Sequence, residues 1–142
     1  MPFVSITRLR LRSWKYLPGL LFDSWRAALQ ARRAEGNLAI STLSDAHSAF
    51  WTRSVWTDEA AMRAFMTSGI HRAAMPKFLE WCDEAAVTHW MQEGAQEPDR
   101  MEAHRRLLAQ GRPSRINYPS PTHLRCEPPP PRIGPGRSFK FK

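Results

Sequence analysis

Apolar and polar side chains alternate along the first run of the chain, residues 3–11 (FVSITRLRL). Period-two alternation with β-branched residues and without internal Pro or Gly predicts a β-strand. One face of that strand would carry Phe3, Ser5, Thr7, Leu9 and Leu11, and the other Val4, Ile6, Arg8 and Arg10. Residues 37–43 and 49–56 predict a hairpin, because both are short strand-like runs joined by a turn-length segment. Residues 85–91 (AAVTHWM) predict the last strand.

Two longer segments carry apolar residues at the three-to-four spacing of a helix. Residues 18–34 form the first, and Gly36 suits the left-handed stop just beyond its end. Residues 58–82 form the second, and the Ser68-Gly69 pair predicts a break or bend within it. Residues 99–110 predict one further short helix.

The predicted order is strand, helix, strand, strand, helix, strand, which is the βαββαβ layout of the ferredoxin-like α+β fold. Helices would cover one face of its sheet, whereas the other face would carry apolar side chains that also need cover. These side chains are Val4, Ile6, Trp51 and Val55. We therefore expect a symmetric homodimer in which two such sheets pack face to face.

The composition differs between a Trp-rich N-terminal part of the chain and a basic, Pro-rich C-terminal part. The 142 residues carry a net charge of +8; residues 1–90 contribute +3 (11 Lys/Arg minus 8 Asp/Glu) and residues 91–142 contribute +5 (10 minus 5). All six Trp precede residue 91, and eight of the twelve Pro follow residue 112.

This division predicts three parts. Residues 1–91 form the ferredoxin-like domain, residues 92–126 a C-terminal helix and a wrapping segment, and residues 127–142 a disordered basic Pro-rich tail. The wrapping segment would pack back over the helices, held there by the side chains of Ile116, Tyr118 and Leu124.

Charge, apolar runs and cysteine number also indicate which binding partners and which cellular compartment to expect. Residues 112–142 carry most of the excess charge, +6 (7 Lys/Arg minus 1 Asp/Glu), so we expect no nucleic-acid partner. No apolar run reaches the ~18 residues of a membrane span, and residues 1–22 lack the continuous apolar block of a signal peptide. Cys82 and Cys126 are too few for a disulfide framework, so we expect a cytoplasmic protein with reduced thiols.

Residues 50–81 read FWTRSVWTDEAAMRAFMTSGIHRAAMPKFLEW: a strand ending in Val-Trp, an acidic cap, a Met/Phe stripe, a Ser-Gly break and a His-Arg-Ala-Ala turn. This pattern resembles the antibiotic-biosynthesis-monooxygenase-like superfamily, whose members are dimeric α+β barrels. Within it, the chain is similar to the small proteins grouped with spheroidene monooxygenase and an uncharacterised domain family. The resemblance covers residues 3–91 and implies that barrel fold. One such fold hosts several functions, including quinone-forming oxidation, heme chemistry and ligand binding.

The heme-degrading members of that superfamily use an Asn on the first strand and a Trp and a His on the second helix. The resemblance places Thr7, Phe65 and Met75 at these positions, so it does not imply heme degradation of that type. Met75 has two interpretations, a thioether ligand of heme iron or a core side chain that fills a gap. The sequence requires no cofactor, and heme stays open as one.

His71 is the candidate catalytic residue. It follows the Ser68-Gly69 break, where a cleft can open, and its imidazole could act as a general base or bind iron. The alternative is a surface His beside Arg72. No partner stands at metal-ligand spacing from His71, so no metal site is predicted. His89 on the last strand could face either side of the sheet, and His47 lies in the hairpin turn.

A set of large side chains could line an apolar cleft between the sheet and the helices, or could be ordinary core. The set comprises Trp25, Phe50, Trp56, Phe65, Met75 and Trp90, with Thr7 as a polar anchor. Two functions stay open. The first is a monooxygenase-like enzyme, an oxidoreductase acting on a small or medium apolar substrate with His71 assisting proton transfer. The second is a non-catalytic binder of a hydrophobic ligand or heme.

Overall fold

Four long antiparallel strands form the centre of the computed structural model, which describes residues 1–45, 48–126, 128–129 and 138–140. They are β1 (Phe3–Leu11), β2 (Asn37–Ser44), β3 (Ala49–Trp56) and β4 (Cys82–Met91). Two short strands, β5 (Arg112–Pro113) and β6 (Ser138–Lys140), flank them in the order β5-β4-β1-β3-β2-β6. The predicted turn residue His47 lies outside the described residues.

Four α-helices accompany the sheet. They are α1 (Leu17–Arg33), α2 (Glu59–Met66), α3 (Gly69–Trp81) and α4 (Arg100–Gln110). The predicted break at Ser68-Gly69 is confirmed, because α2 ends at Met66 and α3 begins at Gly69. Gly69 has a φ of +57°, a left-handed conformation that glycine adopts without strain.

The elements from β1 to β4 follow the βαββαβ order, so the predicted ferredoxin-like α+β fold is confirmed. The helix layer of α1, α2 and α3 covers one face of the sheet. Part of the core between them is a cluster of Phe3, Ala31, Ile40, Trp56, Met62 and Phe65. Within the described residues, no helix is both long and apolar enough to cross a membrane.

The opposite face of the sheet, called the outer face below, is covered by α4 of the same chain. The apolar side chains predicted there (Val4, Ile6, Trp51 and Val55) are at most 2% exposed. They form one cluster with Ala103 and Leu107 of α4, both of which are fully buried. Contrary to the expectation from the sequence, the outer face is therefore buried without a second copy of the chain.

The segment after α4 runs along β4 and along one of the helices, α3, and its Ile116 borders the space between the sheet and the helices. Its backbone is held by three hydrogen bonds: Ser114 N–H to Ala85 O (2.8 Å), Asn117 N–H to Leu79 O (3.1 Å) and Ser120 N–H to Asp83 O (2.8 Å). Two of the predicted anchors, Tyr118 and Leu124, are exposed, whereas His123 is buried. Open backbone groups at the edge of β4 explain this path better than apolar anchors do.

The Pro-rich tail is partly described. Pro128 is buried, and its carbonyl accepts a hydrogen bond from Nε2 of the buried His104 at 2.8 Å. Ser138–Lys140 pair with β2 as β6. At these positions the structure differs from the predicted disorder, because backbone groups there find partners on the folded domain. Residues 127, 130–137 and 141–142 lie outside the described residues.

Candidate functional site

A cleft of about 200 Å³ lies between the helix layer and the sheet. The helices line it with small or apolar side chains, among them Ala27, Ala28, Met62, Phe65, Met66, Met75 and Phe78. Ser114 and Ile116 of the segment after α4 also border it. The volume lies below the ~300–1,000 Å³ of typical drug-sized pockets, so the cleft as it stands suits a small ligand.

Five hydroxyl-bearing side chains lie on the strand side of this cleft, beside apolar strand residues such as Ile40, Trp56 and Val87. The antiparallel register aligns Thr42, Thr52 and Thr7 in one row across β2, β3 and β1. Ser54, Ser5 and His89 form the next row. Rows two residues apart share one face of a sheet, and all six side chains line the cleft. Within the described residues the hydroxyls of Thr7, Thr42 and Thr52 have no hydrogen-bond partner, so they are free for a ligand.

The backbone at His71 is fixed by a side chain of α1. Gln30 Oε1 accepts from the His71 N–H at 3.0 Å, and Gln30 Nε2 donates to the Ser68 carbonyl at 2.9 Å. A Cβ atom on Gly69 would meet the Gln30 side chain at 3.0 Å. The glycine therefore provides both the left-handed turn and the close approach of Gln30, which together place His71 at the start of α3.

The ring of His71 has a defined tautomer. Its Nδ1 lies 3.2 Å from the Met66 carbonyl oxygen, and because a carbonyl can only accept, Nδ1 carries the proton. Burial lowers the pKa of His71, although the hydrogen bond to Met66 opposes this shift. The ring is therefore neutral at pH 7, and Nε2 is an acceptor without a partner in the described part of the chain. Phe65 packs against it with a centroid distance of 4.8 Å.

His89 is a second histidine of the cleft, and sequence reasoning left its orientation open. Its register opposite Ser5 turns it toward the helix layer. Nε2 is buried and has no partner among the described residues, which is costly for a polar group unless a ligand or solvent satisfies it. Burial, and secondarily the charges of Arg112 and Arg63, lower the pKa of His89. In the sequence, spacing showed only that His89 shares a face of the strand with Val87. The register between β1 and β4 is needed to say which face that is.

The structure brings His71, Thr7, Trp56, Phe65 and Met75 together around the cleft. It does not bring Trp25, Phe50 and Trp90 there.

Each of these three side chains has another environment. Trp25 is 54% exposed on the solvent side of α1. Phe50 packs at the far end of the same sheet face, with the cluster around Leu20 and Phe78. Trp90 pairs with Val4 and lies on the outer face, where the Arg106 guanidinium stands 4.7 Å from its ring centroid.

Heme fits this cleft poorly. Its two propionates call for cationic partners, yet no Lys or Arg is among the described side chains that line the cleft. The described residues also contain no group of three His, Cys, Asp or Glu side chains that could hold a metal ion. His71 and Met75 both border the cleft, but its volume of about 200 Å³ suits a smaller ligand than a macrocycle.

A family model described as a domain of unknown function, DUF3291, matches residues 22–114. No curated protein matches the chain. Among solved structures, Rv0793 from Mycobacterium tuberculosis is 14% identical with a TM-score of 0.61, over 66% of this chain and 97% of that one. A protein from Nitrosomonas europaea, described as an antibiotic biosynthesis monooxygenase, is 13% identical with a TM-score of 0.59, over 64% of this chain and 89% of that one.

A third similar structure is that of a SnoaB variant from Streptomyces nogalater, described as a cofactor-independent oxygenase. It is 13% identical with a TM-score of 0.56, over 66% of this chain and 94% of that one. At these identities the similarity establishes the fold, which is that of the antibiotic-biosynthesis-monooxygenase-like proteins.

Proposed function

Since the chain belongs to the DUF3291 family of domains of unknown function, we propose its function from the cleft: a monooxygenase-like enzyme that oxidises a small apolar substrate with dioxygen and His71 as general base. The observation that carries the proposal is the neutral ring of His71, which borders an apolar cleft with hydroxyls on its strand side and whose Nε2 has no partner among the described residues.

The substrate class follows from these groups. An apolar phenol would pack its ring against Phe65 and the methionines and present its O–H to the His71 Nε2. The free hydroxyls of Thr7 and Thr52 would orient its oxygen. Proton transfer to a positioned base contributes ~10²–10⁴-fold to a rate.

The chemistry balances without a cofactor. Loss of the proton to His71 leaves an electron-rich phenolate, which transfers electrons to dioxygen in the apolar cleft. One oxygen atom bonds to a ring carbon and becomes the second carbonyl of a quinone. The other leaves as water with the two hydrogens that the phenol loses, so the substrate supplies all four electrons. A structural relative described as a cofactor-independent oxygenase supports this class of reaction.

Non-catalytic binding of a hydrophobic ligand is the second candidate function, and the apolar cleft favours it equally. The two candidates differ at His71 Nε2, which only the enzyme needs as a base. The homodimer stays a prediction, and its interface would have to differ from the outer face that α4 covers.

Oxygen uptake tests the enzyme. We expect purified protein to consume dioxygen with members of a panel of phenols and quinols, and His71→Gln to reduce that rate by about 100-fold or more. Arg72→Gln is the matched control, because it changes the exposed neighbour on the same turn. No uptake across the panel, with saturable binding of the same compounds, would favour the binder.

A further inference from the structure

A second cavity, of about 170 Å³, lies on the outer face and is called the outer cavity below. β1 and β4 form its base, and residues 122–126 and 128–129 close over it. Unlike the cleft, it is polar: its charged or polar lining includes Arg8, Arg10, Glu84, His123 and Arg125.

Arg8 is only 3% exposed, and two of its three guanidinium nitrogens have no hydrogen-bond partner among the described residues. Its guanidinium carbon lies 5.8 Å from the centroid of the Trp51 ring. Nη1 donates to Glu84 Oε1 at 2.7 Å. Nε and Nη2 are buried, and neither makes a hydrogen bond within that part of the chain. A buried charged donor left unpaired is costly, so natural proteins rarely leave two on one side chain unless a bound group satisfies them.

Arg10, two residues along the same strand face, shows what these two atoms bind. Its Nε donates to Asp83 Oδ1 and its Nη2 to Asp83 Oδ2, both at 2.9 Å. Nε–H and Nη2–H point in parallel from one side of the planar guanidinium, and that fork matches the two oxygens of a carboxylate or phosphate. In Arg8 the same two donors make no hydrogen bond within the described residues, and Arg8 lines the outer cavity.

The charge around the outer cavity favours an anion over a cation or a neutral ligand. Among the described residues, Arg8, Arg10 and Arg125 line it with the one carboxylate of Glu84. Asp83 pairs with Arg10 from outside the lining, so the formal balance is three minus two, or +1. Glu84 is already engaged by Arg8, Ser120 and Thr122. Burial alone would raise the pKa of Glu84, but the hydrogen bonds from Arg8 and Thr122 and the charge of Arg10 lower it overall, so it stays ionised at pH 7.

We propose that the outer cavity binds a small oxyanion, a carboxylate or a phosphate, through the parallel Nε–H and Nη2–H donors of Arg8. This site is independent of the cleft and of the reaction proposed there. The anion would lie between the sheet and the segment after α4, so its binding would tie that segment to the domain.

Calorimetric titration tests the site with two probes, inorganic phosphate and acetate, each against sodium chloride at matched ionic strength. We expect saturable binding of at least one oxyanion and none of chloride. Saturation by phosphate alone assigns a tetrahedral ligand, and saturation by acetate alone assigns a carboxylate. Arg8→Lys keeps the charge opposite Glu84 but removes the fork, and it should weaken binding about tenfold or more. Arg105→Gln is the charge control, because Arg105 lies exposed on α4.

A second readout uses the native chain alone. The thiol of Cys126 borders the outer cavity, whereas Cys82 is fully buried elsewhere. Bound oxyanion should therefore slow alkylation of Cys126 in the wild-type protein and leave its rate unchanged in Arg8→Lys. The proposal is overturned if neither oxyanion binds better than chloride, or if Arg8→Lys binds as tightly as the wild type.

Discussion

The Nδ1 atom of His71 lies 3.2 Å from the carbonyl oxygen of Met66, across the break between α2 and α3. This contact joins the last residue of one helix to the first turn of the next and assigns the ring proton to Nδ1. The opposite nitrogen is thereby left as the acceptor beside the cleft. The break is thus part of the site, because a continuous helix would use the Met66 carbonyl for its own hydrogen-bond ladder.

The pH dependence of the proposed reaction follows from His71. The base is active when neutral, so kcat/KM should rise as pH increases through the pKa of the ring. Because burial lowers that pKa, the rise should be centred below the ordinary value of about 6.5 and the profile flat at neutral pH. Steady-state rates across pH test this for any substrate that His71 deprotonates. A rise centred above the ordinary value would argue against His71 as the base.

Gly69→Ala should destabilise the protein by about 1–2 kcal/mol, the cost of a left-handed conformation with a Cβ atom. The added methyl group would also press on Gln30 and shift the backbone that places His71. Gly94→Ala is the matched control, because its Cβ would meet no atom closer than 3.9 Å among the described residues. Urea unfolding of the two variants gives the comparison, and equal stabilities would contradict the role given to Gly69.

His89→Leu should stabilise the protein by about 1 kcal/mol, because it removes a buried nitrogen that has no partner in the described part of the chain. The same change should weaken ligand binding in the cleft if His89 contacts the ligand. His123→Leu is the contrasting variant: His123 Nδ1 accepts from the Ala85 N–H at 3.4 Å, and Nε2 lies 2.8 Å from the Ser114 carbonyl. It should therefore be destabilising. Thermal unfolding distinguishes them, and a loss of stability in His89→Leu would mean that its nitrogen is satisfied.

Because α4 covers the outer face, truncation of two adjacent leucines on this helix should have very unequal effects on stability. Leu107 is fully buried against the sheet, whereas Leu108 is 46% exposed. Leu107→Ala should cost about 3 kcal/mol of unfolding free energy, and Leu108→Ala about 0.5 kcal/mol or less. Denaturant titration of both variants measures this difference. Similar losses would mean that α4 does not pack as described.

The fold was predictable because its patterns are local. Alternation in residues 3–11 assigned Thr7 to one face and Val4 to the other, and the Ser68-Gly69 pair marked the helix break. The cover of the outer face was not predictable in this way. The α4 sequence is strongly polar, and only Ala103 and Leu107 supply the apolar contact at a spacing of four residues.

The cleft residues were predicted only in part, because the orientation of several side chains also depends on tertiary packing. Trp90 was assigned to the cleft by its size, but its pairing with Val4 places it on the outer face. Trp25 was likewise assigned to the cleft as a large side chain, yet α1 buries smaller residues such as Ala27 and Ala28 instead, since these allow the helix to lie close to its neighbours. Register and helix rotation depend on tertiary packing, which spacing along one segment does not encode.

Oxygenation of a phenol in the cleft, with His71 as the base, can be followed by mass spectrometry of the quinone formed under isotopically labelled dioxygen. We expect one labelled oxygen atom in each product molecule, and at least about 100-fold less product from His71→Gln than from the wild type. Product whose new oxygen comes from water, or equal yields from the two proteins, would contradict this reaction.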